Sequence, residues 1–341
     1  VIDLKKLRDD DAYRSGIIRK GIDSSVLDDV LVREETCRKL QQEVEELRSE
    51  QNVASKEIGQ ASPEDRTEKI AAASAIKELL QAKETAYASA SEGLQEITIS
   101  LPNPANERCP SGGEDDYEVV EVIGECPEAP IRNHAEYGEF MKWVETEKAA
   151  ENMGSRFAYL KNEAVLLEFA LVQYTMSKLV SKGFTPVVTP VLVREQMMFD
   201  AGFFPTDRNQ VYELPKDDLF LTGTSEVALA GLHRGDLLEK EDVPIRLVGY
   251  SSCFRREAGT YGKDTSGIFR VHQFDKVEMF SFCDPEKSKE EHEYLLSLEE
   301  EILKDLEIPY RVVDVCSGDL GASAAKKYDI EAWIPSQNNY R

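Results

Sequence analysis

Ile245-Arg246-Leu247-Val248-Gly249-Tyr250-Ser251-Ser252-Cys253-Phe254-Arg255-Arg256-Glu257 opens the stretch that decides the fold. Ala258 to Gly267 follows, rich in Gly, Thr and Ser, and then Ile268-Phe269-Arg270-Val271-His272-Gln273-Phe274-Asp275-Lys276-Val277-Glu278-Met279-Phe280. Two β-rich runs around a flexible segment predict an antiparallel hairpin with a long loop. The first strand is expected to run through Glu257 and the second from Ile268 to Phe280. Alternation puts Arg270, His272, Phe274, Lys276 and Glu278 on one face of the second strand. Phe269, Val271, Gln273, Asp275, Val277 and Met279 lie on the other. Arg255 and Glu257 share a parity on the first strand. Burying so many charges is unfavourable unless they are paired or bind something. Residues 245–280 hold six basic and four acidic residues. Two readings stand: a basic, aromatic site for an anionic ligand with a planar ring, or a solvated face laced with surface salt bridges.

Around this hairpin, helix and strand interleave without a regular β-α-β repeat. Glu163 to Lys182 has helical periodicity through Val165, Leu166, Phe169, Ala170, Val172, Leu179 and Val180. Gly183-Phe184-Thr185-Pro186-Val187-Val188-Thr189-Pro190 is a helix stop followed by extended chain. The class expected is α+β with a largely antiparallel sheet. Neither G-x-G-x-x-G nor G-x-x-x-x-G-K-[ST] occurs, so neither standard nucleotide cradle is present.

Toward the N-terminus the chain changes character. Between Ser25 and Ile97 charged residues crowd in. Val30, Cys37, Leu40, Val44, Leu47, Ala54 and Ile58 form one narrow seam, and Ala73, Ile76, Leu80, Tyr87, Ala90, Leu94 and Ile97 a second. Between them Gly59 suits a helix C′ position, Ser62 an N-cap, Pro63 a first turn and Asp65 the far end of a capping-box pairing. Two long helices folded back antiparallel over about residues 26–98 are expected. Three uses fit the pattern: a rod in solvent, a dimerising coiled coil, or a hairpin packed on the body. A nucleic-acid-binding rod would need a one-sided subset such as Arg33, Arg38, Lys39, Arg48, Lys56, Arg66 and Lys69. Cys109 to Asp116 reads as an exposed linker. This divides the chain into 1–108, with the hairpin, and 109–341.

The whole chain has 341 residues and a formal charge of −24. That acidity argues against non-specific coating of DNA or anionic membrane. No run approaches 18 consecutive apolar residues, so no membrane span is expected, and no signal peptide is visible. Six scattered cysteines without a C-x-x-C pair are expected to be reduced thiols. Four histidines leave little room for a His-based metal centre.

The hairpin resembles motif 2 of class II aminoacyl-tRNA synthetases, and the string FRREAGTYGKDTSGIFRVHQFDKVEMF resembles the seryl-tRNA synthetase family in particular. Thr222-Gly223-Thr224-Ser225-Glu226 is similar to that family's serine-binding segment. Gly183 to Pro190 is similar to motif 1, with Pro190 its fixed proline. Gly154-Ser155-Arg156-Phe157 and Tyr328 to Pro335 also match, and the helical hairpin resembles the tRNA-binding arm. The resemblance implies a class II antiparallel catalytic sheet. It implies activation of L-serine with ATP to seryl-adenylate, then transfer to the 3′ end of tRNA(Ser), with tRNA(Sec) as a second acceptor left open. By match, Arg255 would grip the α-phosphate and the serine carboxylate, Glu257 the adenine amino group, and Glu278 the amino and hydroxyl groups of serine. Thr224, Ser225 and Glu226 would hold the serine amino end. Phe274 would stack adenine, and Arg256, Val271, His272 and Gln273 would complete the ATP site. Mg²⁺ would bridge the phosphates. A cytoplasmic homodimer through motif 1, around Pro190, with no DNA or membrane partner, is implied too.

Two departures bear on this. Arg256 stands where many relatives carry Ser. A Glu-rich metal segment and motif 3 would follow Arg341, so no metal ligand is expected within the residues present, and a polypeptide ending at Arg341 is expected not to form adenylate. The alternatives are an impaired or repurposed paralogue that binds tRNA or loads a carrier, and a coiled-coil scaffold. The arm speaks against carrier loading, and the charged sheet face speaks against a scaffold.

Overall fold

Short side-chain caps begin the fold. In the computed structural model, which describes residues 2–62, 64–259 and 267–341, the Asp3 carboxylate accepts from the backbone N–H groups of Lys5 and Lys6 at 2.9 and 3.0 Å. This starts α1 (Leu4–Asp9), and Asp10 caps α2 (Asp11–Ile18) in the same way. These bonds satisfy donors that a helix start leaves without partners. Asp23 caps α3 (Ser24–Gln60), which is followed by α4 (Arg66–Ile99). At 37 and 34 residues, these helices are each roughly 50 Å long at 1.5 Å per residue.

Each residue of the two expected seams is buried or half-buried. Val44, Leu47 and Leu80 form the arm's buried cluster, with Ile76 and Tyr87 against it. Glu43 and Arg48 pair across the helices with Lys83 and Glu84, and further along α3 Glu57 pairs with Lys69 near the start of α4, which makes the hairpin antiparallel. The turn differs from expectation. Helical bonding continues through Gly59 to Gln60, so Gly59 is not a C′ residue. Ser62 Oγ does donate to Asp65 Oδ2 at 2.7 Å, and Asp65 N–H donates back at 3.3 Å. Pro63 lies outside the described residues.

The chain divides into two compact units, residues 1–116 with 315–327, and residues 117–314 with 328–341. In the first, Ile2, Leu7, Ile17, Leu27, Val30 and Leu101 pack at the root of the arm. Ala105 and Cys109 pack with Val315 and Leu320. Cys109 is therefore buried, at 4% exposure, and is no part of an exposed linker. Apolar partners 206 and 211 positions away bury it, and no local pattern reports them. Residues 111–116 are exposed. The six cysteines are free thiols.

The second unit contains β1 (Glu118–Ile123), α5 (His134–Phe140), β2 (Val144–Glu145), α6 (Glu147–Met153), β3 (Tyr159–Leu160) and α7 (Glu163–Ser181). Then come β4 (Thr185–Val188), β5 (Leu192–Val193), α8 (Glu195–Asp200), β6 (Tyr212–Leu214), β7 (Leu219–Leu221) and α9 (Glu226–Gly231). The last elements are β8 (Ile245–Phe254), β9 (Gln273–Phe282), α10 (Ser288–Asp305), β10 (Tyr310–Asp314), β11 (Tyr328–Ile334) and β12 (Asn339–Tyr340). The sheets run β1-β10-β11-β12, β2-β3, β4-β8-β9 and β5-β7-β6. All pairings are antiparallel except β4 with β8, so the architecture is α+β.

α7 matches its expected span within a residue, and Gly183, at φ +93°, ends it. It is long and apolar enough to cross a membrane by length and composition alone. The expectation of no such segment looked for unbroken apolar runs, and α7 is interrupted by Glu168 and Lys178. It packs through Leu179 and Met176 with Phe184, Val248 and Leu298. Leu166, Phe169 and Val180 remain exposed.

Candidate active site

β8 and β9 pair along ten residues, from Ile245 with Phe282 to Phe254 with Gln273. The pairing stops short of both expected ends. Arg255 to Glu257 lie beyond β8, and Ile268 to His272 lie before β9. Thr260 to Ser266 fall outside the described residues. Arg270 and His272 are therefore not members of a strand face, whereas Phe274, Lys276 and Glu278 are. Opposite them in register stand Cys253, Ser251 and Gly249. The other face carries Val248, Val277 and Met279 into the core with α7 and α10. α9 lies over the polar face. A Cβ on Gly249 would fall 2.8 Å from Leu229 Cδ1 and 3.1 Å from Ser225 Oγ, so glycine lets α9 approach the sheet.

That approach builds a polar cluster around one carboxylate. Glu278 Oε2 accepts from the Thr224 hydroxyl, from Ser225 Oγ at 2.9 Å and from Glu226 N–H at 3.1 Å. Lys276 Nζ donates to Glu278 Oε1 at 2.8 Å and to Thr224 Oγ1 at 3.0 Å. Thr224 and Ser225 are buried, at 2% and 0% exposure. Burial works to raise the Glu278 carboxyl, but the Lys276 charge and the hydrogen bonds from Lys276, Thr224 and Ser225 overcome it and hold it below the usual range. Glu226 goes the other way. Burial first, and then the charge of Glu278, push its carboxyl up, with Lys276 offsetting part of this. The cluster thus sets two carboxylates against one ammonium group.

Beside it lies Arg255. Its Nε donates to Gly223 O at 3.2 Å, and its guanidinium carbon stands 5.1 Å from the centre of the Phe274 ring. A side chain on Gly223 would press on Arg255 Cγ at 3.3 Å, so the glycine gives the arginine room. His272 holds the backbone of Arg255 twice: Arg255 N–H donates to His272 O at 3.0 Å, and His272 Nδ1 lies 2.9 Å from Arg255 O. Glu257 adopts φ +53°, a left-handed conformation that costs a residue with a Cβ about 1–2 kcal/mol. Its carboxylate accepts from Arg270 Nη1 at 2.6 Å. Arg256 lies over Tyr212, 5.7 Å from the ring centre. Gln273 is the exposed first residue of β9, and Val271 is half-buried just before it.

The sequence-predicted residues therefore form two neighbouring groups. Thr224, Ser225, Glu226 and Glu278 make the buried carboxylate cluster. Arg255 and Glu257 border a cavity of about 350 Å³ that Gln210, Gly223, Phe254 and Arg270 also line, while His272 and Phe274 pack against Arg255 from outside that lining. A larger cavity of about 940 Å³ lies elsewhere, lined by Leu167 and Leu171 of α7, Val277 of β9 and Ile330 of β11. It is mostly apolar, and none of the sequence-predicted site residues lines it.

Sequence reasoning missed Lys276 as a site residue although it shared the polar face with Glu278. Its spacing of two from Glu278 was the available signal. Arg270 was placed on a strand face, while its role is to pair with Glu257. Gln210, whose backbone and side chain bind the segment after Phe254, left no signal, because its partners Arg256 and Ala258 lie 46 and 48 positions away. Among the described residues no group of three or more His, Cys, Asp or Glu side chains is placed to hold a metal ion.

Two protein families match the chain. The seryl-tRNA synthetase N-terminal domain matches residues 1–105, and the tRNA synthetase class II core domain (G, H, P, S and T) matches residues 210–341. The chain is 43% identical to the serine–tRNA ligase of Corynebacterium efficiens, over the whole of this chain and 82% of that relative. It is 45% identical to the serine–tRNA ligase of Acidothermus cellulolyticus over the same shares. Among solved structures it resembles the seryl-tRNA synthetase of Pyrococcus horikoshii complexed with ATP. There the TM-score is 0.92 and the identity 36%, over all of this chain and 83% of that one.

Proposed function

The chain belongs to the seryl-tRNA synthetase family of class II, and from that membership and the geometry above we propose that it activates L-serine with ATP and transfers the seryl group to tRNA(Ser). The observation that carries the reading is the charge imbalance at Glu278. Glu226 and Glu278 face a single lysine inside a partly buried cluster, so the site is complementary to one more cation. The ammonium group of an amino acid supplies it. The Thr224 and Ser225 hydroxyls sit within reach of a second polar group, which serine has and alanine lacks. An alanine there offers no polar group to this desolvated polar cluster, which disfavours it relative to serine.

Arg255 stands between this cluster and the cavity that Glu257 and Arg270 border. In this reading its guanidinium draws the serine carboxylate and the α-phosphate together, although each is an anion that repels the other. The carboxylate oxygen attacks phosphorus, pyrophosphate leaves, and the product is the adenylate. The 3′-hydroxyl of tRNA then attacks its carbonyl and AMP leaves. Both steps rest on positioning and on stabilising charge that develops at fixed places, without a protein nucleophile. Phe274 offers a ring face to adenine, and Glu257 an acceptor to its amino group. Mg²⁺ would accompany the phosphates of ATP and offset their charge, and among the described residues no group of three or more His, Cys, Asp or Glu side chains is placed to hold it.

The arm would dock tRNA(Ser), the exposed apolar residues of α7 with Val188 would meet a second copy around Pro190, and the enzyme would work in the cytoplasm. Serine-dependent exchange of labelled pyrophosphate into ATP tests the central claim on the full-length gene product. Exchange with serine and not alanine is expected. Its absence with every amino acid overturns the reading. Light scattering tests the second copy: a monomer at micromolar concentration sinks it.

A further inference from the structure

Beyond the last β8–β9 pair, Phe254 with Gln273, something other than the ladder has to hold Arg255 and Glu257 in place. Three bonds come from one residue. Gln210 O accepts from Arg256 N–H at 2.8 Å. The side-chain amide of Gln210 then pairs with both backbone groups of Ala258: Nε2 donates to Ala258 O at 2.9 Å, and Oε1 accepts from Ala258 N–H at 3.0 Å. Gln210 thus behaves as a short piece of extra strand laid against residues 256–258. Glu257, in its left-handed conformation, is the residue between the two anchored positions. Such a conformation persists where the surroundings over-determine it.

Gln210 is itself held firmly. It ends a 3-10 turn at Arg208–Gln210, where its N–H donates to Asp207 O at 2.9 Å. Arg208 in that turn lies over the rings of Phe204 and Phe220, 4.8 and 5.4 Å from their centres. Those rings belong to a buried cluster with Val193, Met198, Val211 and Val227. A continuous line of contact therefore runs from this core through Gln210 to Glu257.

We propose that Gln210 is a positioning residue for ATP, acting through its amide pairing with Ala258 to set the place of Glu257. The proposal rests on the reading that Glu257 meets the adenine end of ATP. Gln210→Leu keeps the volume and removes both side-chain bonds; Glu257→Ala and the double variant complete a cycle. Calorimetric titration with ATP reads binding without requiring turnover, and hydrogen exchange of residues 254–259 reads position without requiring ATP. In the Gln210→Leu variant, ATP affinity is expected to fall about tenfold, the scale of two lost neutral hydrogen bonds. The apparent KM for serine should stay within about twofold, and exchange of residues 254–259 should speed up. In the Glu257→Ala background the further loss of ATP affinity should vanish. Unchanged ATP affinity and unchanged exchange in Gln210→Leu overturn the proposal. A full loss on top of Glu257→Ala also overturns it, as does an equal loss for serine, since either means that Gln210 supports the fold generally. If the wild type binds ATP and exchanges no pyrophosphate, the synthetase reading has failed while the positioning result still stands on the titrations.

Discussion

The arm and the β8–β9 face are both rich in charge, yet they use it in opposite ways. On the arm, Arg48–Glu84 has side chains 61% and 41% exposed, and Lys39 pairs with Glu35 one helical turn away. Pairs of this kind contribute at most about 1 kcal/mol each. They keep a narrow apolar seam soluble and in register. On the sheet, Lys276 and Glu278 are 33% and 15% exposed and share Thr224 between them. There each charge needs its partner, and removing one leaves the other poorly solvated. Similar residue types mean tolerance in one place and strict geometry in the other. Solvent access makes the difference.

The comparison breaks most visibly at Glu278. Glu278→Ala is expected to lower kcat/KM for serine by about 10³-fold or more in pyrophosphate exchange, because the site then lacks the acceptor that gathers Thr224, Ser225 and Lys276. A loss below tenfold would place this carboxylate outside the site. A deletion of residues 33–92 should abolish tRNA charging and leave exchange within about twofold. Loss of both activities would make the arm a structural part of the body. The pH dependence sharpens the contrast further. Glu226 is raised by burial and by Glu278, so it takes up a proton before an ordinary glutamate does as pH falls. Protonation removes one charge from the imbalance, so as pH falls serine affinity should begin to drop earlier than an ordinary glutamate would make it. Glu278, held low, stays ionised through that window. In Glu226→Gln this limb of the KM profile should be absent; its persistence would assign the titration to another group. On the arm, Leu80→Ala should cost about 2 kcal/mol of local stability, read by hydrogen exchange, with pyrophosphate exchange unchanged. Smallest of all, Arg48→Ala should shift arm stability by under about 1 kcal/mol. A larger shift would mean that the arm's ion pairs are not the solvated pairs described above.

How far the sequence could be read follows the same division. Both seams, α7 and the glycine that ends it were legible, because residues three and four apart on a helix are neighbours and the pattern is local. The polar parity of Phe274, Lys276 and Glu278 was legible for a similar reason, since strand faces alternate. The strand ends were not. Phe254 closes β8 because Arg255 turns to bond with His272 and Arg256 turns to Gln210, and those partners are 17 and 46 positions away. Cys109 looked like linker because its neighbours are Pro, Ser and Gly, while Val315 and Leu320 bury it from far along the chain. Gly59 looked like a helix end, but glycine is tolerated inside a helix where no partner requires a turn.

The sequence by itself determined the elements, their apolar faces and the resemblance that names the chemistry, since each depends on residues close together or on a string of unusual composition. Only the tertiary structure decided that one glutamate gathers Thr224, Ser225, Glu226 and Lys276, that Glu226 and Glu278 titrate in opposite directions, and that Gln210 anchors the segment around Glu257. Those facts depend on burial and on distances between remote residues, and a carboxylate's charge and partners are set by what surrounds it in space.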